Sequence, residues 1–216
     1  ISHEFDTMNE GGSSSFFGSS VSLHGGRLAV GARGDSEVHL FTFNDDVTSS
    51  DLELTLRASI GDSVTGANDY NLGSTYGEDD GENSTGDSYN AGGFQSTGTS
   101  FGYGVSLSAD ADGNARLAVG APGAQEANGG TCNSNCGAVA LFTFTDATDQ
   151  DFSGIRLAAV IGEGYDNDYN ASANPRSGKD IDMGLITDPT DLFGISVALT
   201  YDSALGTHRL AGLASQ

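Results

Sequence analysis

Carboxylates are the residues most able to do chemistry in this chain. Asp and Glu number 30 against 8 Lys and Arg, giving a formal net charge of −22, and Lys179 is the single lysine. Many lie in two polar stretches, residues 62–100 and 163–192. The first holds Asp69, Asp79, Asp80 and Glu82, and the second holds Asp166 and Asp168. Oxygen ligands at this density suit Ca²⁺, a hard cation that takes about six to eight of them. The same composition also describes a solvated acidic loop. Carboxylate pairs can cleave glycosidic bonds, but no pair is marked out from the rest. His3, His24, His39 and His208 are scattered over a chain end, a turn, a strand and another turn. A phosphate loop and a dinucleotide fingerprint are both missing, so the expectation is a protein that is not an enzyme.

The charge also bears on partners. A surface this negative repels phosphate backbones and anionic lipid, so neither nucleic acid nor a membrane surface is expected as a partner. It suits divalent cations or a salty medium. No apolar run approaches the roughly 20 residues of a membrane helix, and no membrane insertion is expected.

The elements that would position these groups read as short strands. Around Val105 and Leu107, apolar residues alternate with Gly104, Ser106 and Ser108, the period of a strand with one buried face. Leu117 to Ala121 is continuously small and apolar, as for a strand covered on both faces. Ala138 to Phe144 is rich in Val, Leu and Phe. The same block recurs as FFGSSVSLHGGRLAVGARGDSEVHLFTF at Phe16 to Phe43, and its first half recurs as FGISVALTYDSALGTHRLAGLA at Phe193 to Ala214. Gly18, Gly102 and Gly194 mark a period of roughly ninety residues, the sign of a repeat architecture. In the first copy, strands are expected at about Phe16–Leu23 with Val21 and Leu23 inward, Arg27–Ala32, Glu37–Phe43, and Leu52–Ile60 with Leu52, Leu54 and Leu56 alternating. The second copy adds a fourth strand at about Gly154–Ile161. The word NDYN follows the fourth strand in both copies, at Asn68–Asn71 and Asn167–Asn170.

The expected fold class is therefore all-β, with antiparallel four-stranded propeller-like blades, two complete and a third partial, and long acidic loops. The divisions are 1–15 (the end of a preceding repeat or a linker), 16–61 (repeat A), 62–100 (acidic loop), 101–162 (repeat B), 163–192 (acidic loop) and 193–216 (partial repeat C).

FGYGVSLS…RLAVGAPG, with its copies, resembles the FG-GAP repeat of integrin α-subunit propellers and of many secreted bacterial proteins. Arg33 stands where the family often has Pro, and repeat C has Gly212-Leu213 where Val-Gly is expected. The resemblance implies β-propeller blades and an adhesive or structural role at the cell surface or outside the cell. Many family members carry D-x-D-x-D-G-x-x-D between the first two strands, where it surrounds Ca²⁺. Aligned on LAVGAP, repeat B offers Ser108, Asp110, Asp112, Gly113 and Arg116. Asp110 and Asp112 keep two of the carboxylates, while a cation stands at the last ligand position. The bland alternative is a hairpin turn in which both Asp cap backbone amides. In the extracellular setting that the resemblance implies, Cys132 and Cys136 read as a disulfide. Its ring is so small that it stiffens a loop tip, for about 2 kcal/mol. Asn83 and Asn170 head glycosylation sequons, relevant in a glycosylating organism. Arg33-Gly34-Asp35-Ser36 spells an integrin-binding tripeptide plus Ser, which the repeat explains more simply as the turn after the second strand.

Two function classes follow. The first is an extracellular structural or adhesive module, stabilised by Ca²⁺. Its partners would be other copies of itself, flanking repeats of a longer chain, or a cell-surface or matrix molecule. The last repeat stops after its second strand, so a longer repetitive chain or a head-to-tail filament is expected rather than a closed monomer. The alternative is a carbohydrate-binding or carbohydrate-active propeller, which would want exposed aromatics. Trp is absent, and Tyr70, Tyr76, Tyr89, Tyr165 and Tyr169 are the tyrosines in the loops.

Overall fold

Alternation and glycine placement set the strands. The computed structural model describes residues 15–43, 54–61, 64–66, 68–72, 99–124, 136–144, 152–162, 181–183 and 192–213. Repeat A supplies β1 (Phe17–His24), β2 (Arg27–Ala32), β3 (Glu37–Phe43), β4 (Leu54–Gly61) and β5 (Tyr70–Asn71). Repeat B supplies β6 (Gly104–Ala109), β7 (Ala115–Ala121), β8 (Ala138–Thr143), β9 (Arg156–Gly162) and β10 (Ile181–Asp182), and repeat C supplies β11 (Ser196–Asp202) and β12 (Thr207–Leu213). Each repeat is a separate sheet, in the orders β1-β2-β3-β4-β5, β10-β9-β8-β7-β6 and β11-β12. The described residues are thus all-β in open, mainly antiparallel sheets.

The two complete sheets have five strands rather than four. β5 and β10 pair parallel to β4 and β9, with Ile60 opposite Tyr70 and Ile161 opposite Ile181. Ile60 and Ile161 therefore lie inside their sheets, not at the outer edge. NDYN forms β5 in the first repeat, whereas Ile181–Asp182 fills the equivalent place in the second; the copy of NDYN at 167–170 lies outside the described residues. The expected alternation of Leu54 and Leu56 is also interrupted. A bulge places Leu40 opposite Ala58 and Phe41 opposite Leu56, so Ala58 and Ile60, not Leu56, are buried. Repeat B carries the same bulge between Leu141 and Phe142, and such bulges bend and twist a sheet.

The sheets stack face to face, with repeat B in the middle. One core joins repeats A and B, using Val38, Leu40, Ile60 and Leu72 from one side and Phe101, Val105, Leu107, Leu117 and Phe142 from the other. A second core joins B and C through Ala118, Val139, Ile161, Phe193 and Val197. β7 is covered on both faces, as its continuous apolar run implies.

β1 departs from expectation. Val21 and Leu23 are 64% and 62% exposed, whereas Val105 and Leu107, at the same positions in repeat B, are 7% and 5% exposed. The hydroxyl side of β1 is the one turned towards repeat B, and Ser22 Oγ accepts the Leu107 amide at 2.8 Å. The alternation is real, but its apolar face has no described sheet to cover it.

The Phe-Gly turns make the joins. Gly18, Gly102 and Gly194 have φ of 83°, 85° and 91°, and the residues two before them, Phe16, Ser100 and Leu192, also have positive φ. Gly102 N and Tyr103 N both donate to Gly120 O, tying that turn to its own second strand. The carbonyl of Gly102 then presses on Gly31 of repeat A, and that of Gly194 presses on Gly120. A Cβ at either glycine would fall deep inside van der Waals contact with that oxygen. Gly120→Ala is expected to cost about 1–3 kcal/mol through overpacking. Gly25→Ala meets nothing within 4 Å and carries only the cost of its positive φ, about 1 kcal/mol. Urea denaturation midpoints of the two variants check this, and a Gly120→Ala loss no larger than that of Gly25→Ala would contradict the close join.

Candidate functional site

The turn between β6 and β7 is the place the sequence offers for a cation. Asp110 Oδ1 accepts the amides of Asp112 (3.0 Å) and Asn114 (2.8 Å), and Oδ2 accepts Asn114 Nδ2 (2.9 Å). The Gly113 amide donates to the Asp110 carbonyl, and the Gly113 carbonyl accepts Arg27 Nη1 from repeat A at 3.1 Å. Slight burial opposes ionisation of Asp110. The hydrogen bonds from Asn114 and Asp112 and the charge of Arg116 outweigh it and hold the carboxyl below its ordinary range. Asp112 is exposed beside it. Both oxygens of Asp110 are thus turned to amide donors, and Arg116 supplies positive charge where an ion would need an anion. This turn does not fit a calcium ion; it fits a capped hairpin. Asp202 does the same work in repeat C, where Oδ1 accepts the amides of Ala204 and Leu205 and Oδ2 pairs with Arg209 at 2.7 Å.

Asp69 has a similar role one sheet away. Its Oδ1 accepts the Ser59 amide at 2.7 Å, and its Oδ2 accepts the Gly66 amide. Asn68 reaches the Arg57 carbonyl and Asn71 the Val64 carbonyl, so the NDYN word folds the chain back along β4. Tyr70 packs edge-on against Phe142 of repeat B at 5.7 Å, which takes one loop tyrosine out of the set that could face a sugar. Among the described residues, no group of three or more His, Cys, Asp or Glu is placed to hold a metal. Asp166, Asp168, Asn83 and Asn170 lie outside the described residues. So does Cys132, while Cys136 is buried and disulfide-bonded.

The Arg33–Ser36 turn lies at a junction between repeats. Gly34 N donates to Ser15 O and Asp35 N to Ala32 O, which forms the turn between β2 and β3. The Arg33 guanidinium sits 4.8 Å from the Phe16 ring and 4.7 Å from the Tyr103 ring of repeat B. Its charge is held by two aromatic faces. Buried Ser36 adopts φ 57° and accepts a hydrogen bond from Thr99 Oγ1.

One cluster was not visible in the sequence. His39 Nδ1 lies 3.0 Å from Ser59 Oγ, and Nε2 lies 3.5 Å from Glu37 Oε2. A serine, an imidazole and a carboxylate in series suggest nucleophilic catalysis, but the surroundings oppose it. His39 and Ser59 are 8% and 7% exposed. The Ser59 amide, which could have faced a developing oxyanion, already donates to the Asp69 carboxylate. Phe17 packs on the imidazole at 5.6 Å. The arrangement satisfies buried polar groups. Repeat B fills the same pair of positions with Ala140 and Val160, so a single His or Ser gave no signal of the pairing.

No protein-family model matches the chain, and no curated protein matches it.

Burial pushes the His39 imidazole below its ordinary value, against the opposing charges of Asp69 and Asp35. The unfolded state therefore takes up a proton near pH 6.5 before the folded state does, so stability is lost as pH falls from there. His39→Ala/Ser59→Val, which copies repeat B, should flatten the dependence of stability on pH between about 6.5 and 5. Denaturant titrations at several pH values read this out, and an unchanged slope would move the dependence to other groups. Asp110→Asn should cost about 1 kcal/mol, as for a lost cap, by the same amount in EDTA and in millimolar Ca²⁺. A loss seen only with Ca²⁺ would return the ion to this turn.

Proposed function

We propose that the chain is an extracellular structural or adhesive module, a run of propeller-like blades within a larger repetitive protein. The observation that carries this reading is the repeated join. Repeat B sits on A, and C sits on B, through the same glycine contact and the same serine-to-amide hydrogen bond. A stack whose units use one interface is built to be extended. The inter-sheet contacts concentrate on the first strands β1, β6 and β11, as expected when blades converge at their inner edges. Among the described residues, Asp69, Asp110, Asp202 and Arg33 are spent on holding turns and joining sheets, which favours a scaffold over a catalyst.

Two further features suit an extracellular setting. A bonded cysteine is at home in an oxidising compartment, and a net charge of −22 keeps a protein soluble in a salty medium. Its partners are then flanking repeats of the same chain and a cell-surface or matrix molecule. Calcium belongs to this reading through the charge of the acidic segments rather than through the Asp110 turn, and melting in EDTA and in millimolar Ca²⁺ tests that part.

Antibodies against the chain should label intact, unpermeabilised cells of the source organism and detect a polypeptide well above 22.0 kDa on immunoblots. Labelling confined to permeabilised cells would remove the extracellular reading, and a band at the mass of this chain alone would remove the larger protein.

A further inference from the structure

The two ends of the stack are not equivalent. At the join between A and B, the Gly102 carbonyl lies over Gly31, Ser20 Oγ donates to that carbonyl at 2.8 Å, and Ser22 Oγ accepts the Leu107 amide. At the join between B and C, the Gly194 carbonyl lies over Gly120, and Ser106 Oγ accepts the Leu199 amide at 2.8 Å. Each join thus needs a glycine on the second strand and a serine on the first. The serine has a clear physical task. β6 and β11 are edge strands, and their outward amides would otherwise lack a partner in a buried interface.

Register identifies the same positions in repeat C. Gly31 pairs with Ser20 and Gly120 with Gly104; the corresponding pair in C is Ser196 with Leu213. Ser22 pairs with Ala29 and Ser106 with Ala118; the corresponding pair is Ala198 with Ala211. Leucine therefore stands where the join requires the absence of a Cβ, and alanine stands where it requires a hydroxyl. The opposite end carries what a receiving face needs. Phe17, Val21 and Leu23 are exposed there, whereas their counterparts Phe101, Val105 and Leu107 in B and Phe193 and Val197 in C are buried at the two joins.

We propose that the stack extends at one end only. The apolar face of β1, which no described sheet covers, takes the glycine- and serine-bearing face of a further repeat of this type, and the residues at positions 198 and 213 bar such a repeat from the other end. The occupant is specified by continuity with two existing interfaces: a sheet with glycine at the Gly31 position and serine at the Ser22 position. Head-to-tail addition of identical copies is excluded by the same two residues, because the tail of one copy lacks what the head of the next would grip. The proposal takes the longer array as its premise but is read out on the two faces alone, so its failure is distinct from loss of surface labelling or of a larger polypeptide.

The direct test is Ala198→Ser/Leu213→Gly in the full chain, which supplies both missing features. Light scattering over a range of concentrations should show association of the double variant that is abolished by adding Leu23→Lys, and no Leu23-dependent association of the parent. A double variant that keeps the parent's β-sheet circular dichroism and its association state overturns the proposal. So does parent association that Leu23→Lys abolishes. Should the double variant not fold, tandem chains decide. With a second copy of residues 99–191 spliced ahead of residue 16, thiol labelling of Leu23→Cys should slow about tenfold or more relative to the single chain. With a second copy of residues 73–162 placed behind residue 213, labelling of Thr200→Cys, exposed on the far face of β11, should be unchanged. An unslowed Cys at position 23, or a protected one at position 200, contradicts one-ended extension.

Discussion

The close approach of a Phe-Gly carbonyl to the glycine of the preceding sheet is the constraint on which the rest of the structure depends. An oxygen can lie over a strand at that distance only where the strand has no Cβ, so Gly31 and Gly120 set how near two sheets come. That spacing fixes what can lie between them. Small residues such as Ala29, Ala118 and Ala138 fill the tight region, and the bulkier Phe101, Phe142 and Leu40 fill the rest of the core between A and B. It also buries strand edges, and buried amides must find acceptors. Ser22 and Ser106 answer that need at the same position in successive repeats.

The polar residues that look most chemical follow from the same demand. Asp110, Asp202 and Asp69 each gather backbone amides, because tight turns and a folded-back segment leave donors without sheet partners. Arg27 crosses from one repeat to close the turn of the next, and Arg33 fills the seam between Phe16 and Tyr103. In a chain with so few cations, placing two of them at the same seam is a structural investment. Among the described residues, these side chains are used in holding turns and joining units.

Much of the candidate site was legible only as composition. Asp-x-Asp before Gly113 is compatible with an ion or with a cap, and the choice rests on where Asn114 and Arg116 turn their nitrogens. Pairing of His39 with Ser59 depends on cross-strand register after a bulge, twenty residues along the chain. By contrast, placing the Arg33–Ser36 turn between the second and third strands needed only the repeat pattern.

What the sequence by itself determined is the set of long strands and their repetition. Period-two alternation, turn glycines and the recurring Phe-Gly pair are local signals that survive without knowledge of neighbours. β2, β3, β7 and β8 fall where those signals put them. The tertiary structure alone decided which alternating face is covered. Val21 and Val105 read identically, yet one is exposed and the other buried, because burial depends on whether a sheet stands opposite. It alone decided β5 and β10, which are two residues long and so carry no period, and are built from unlike words held by parallel pairing to β4 and β9.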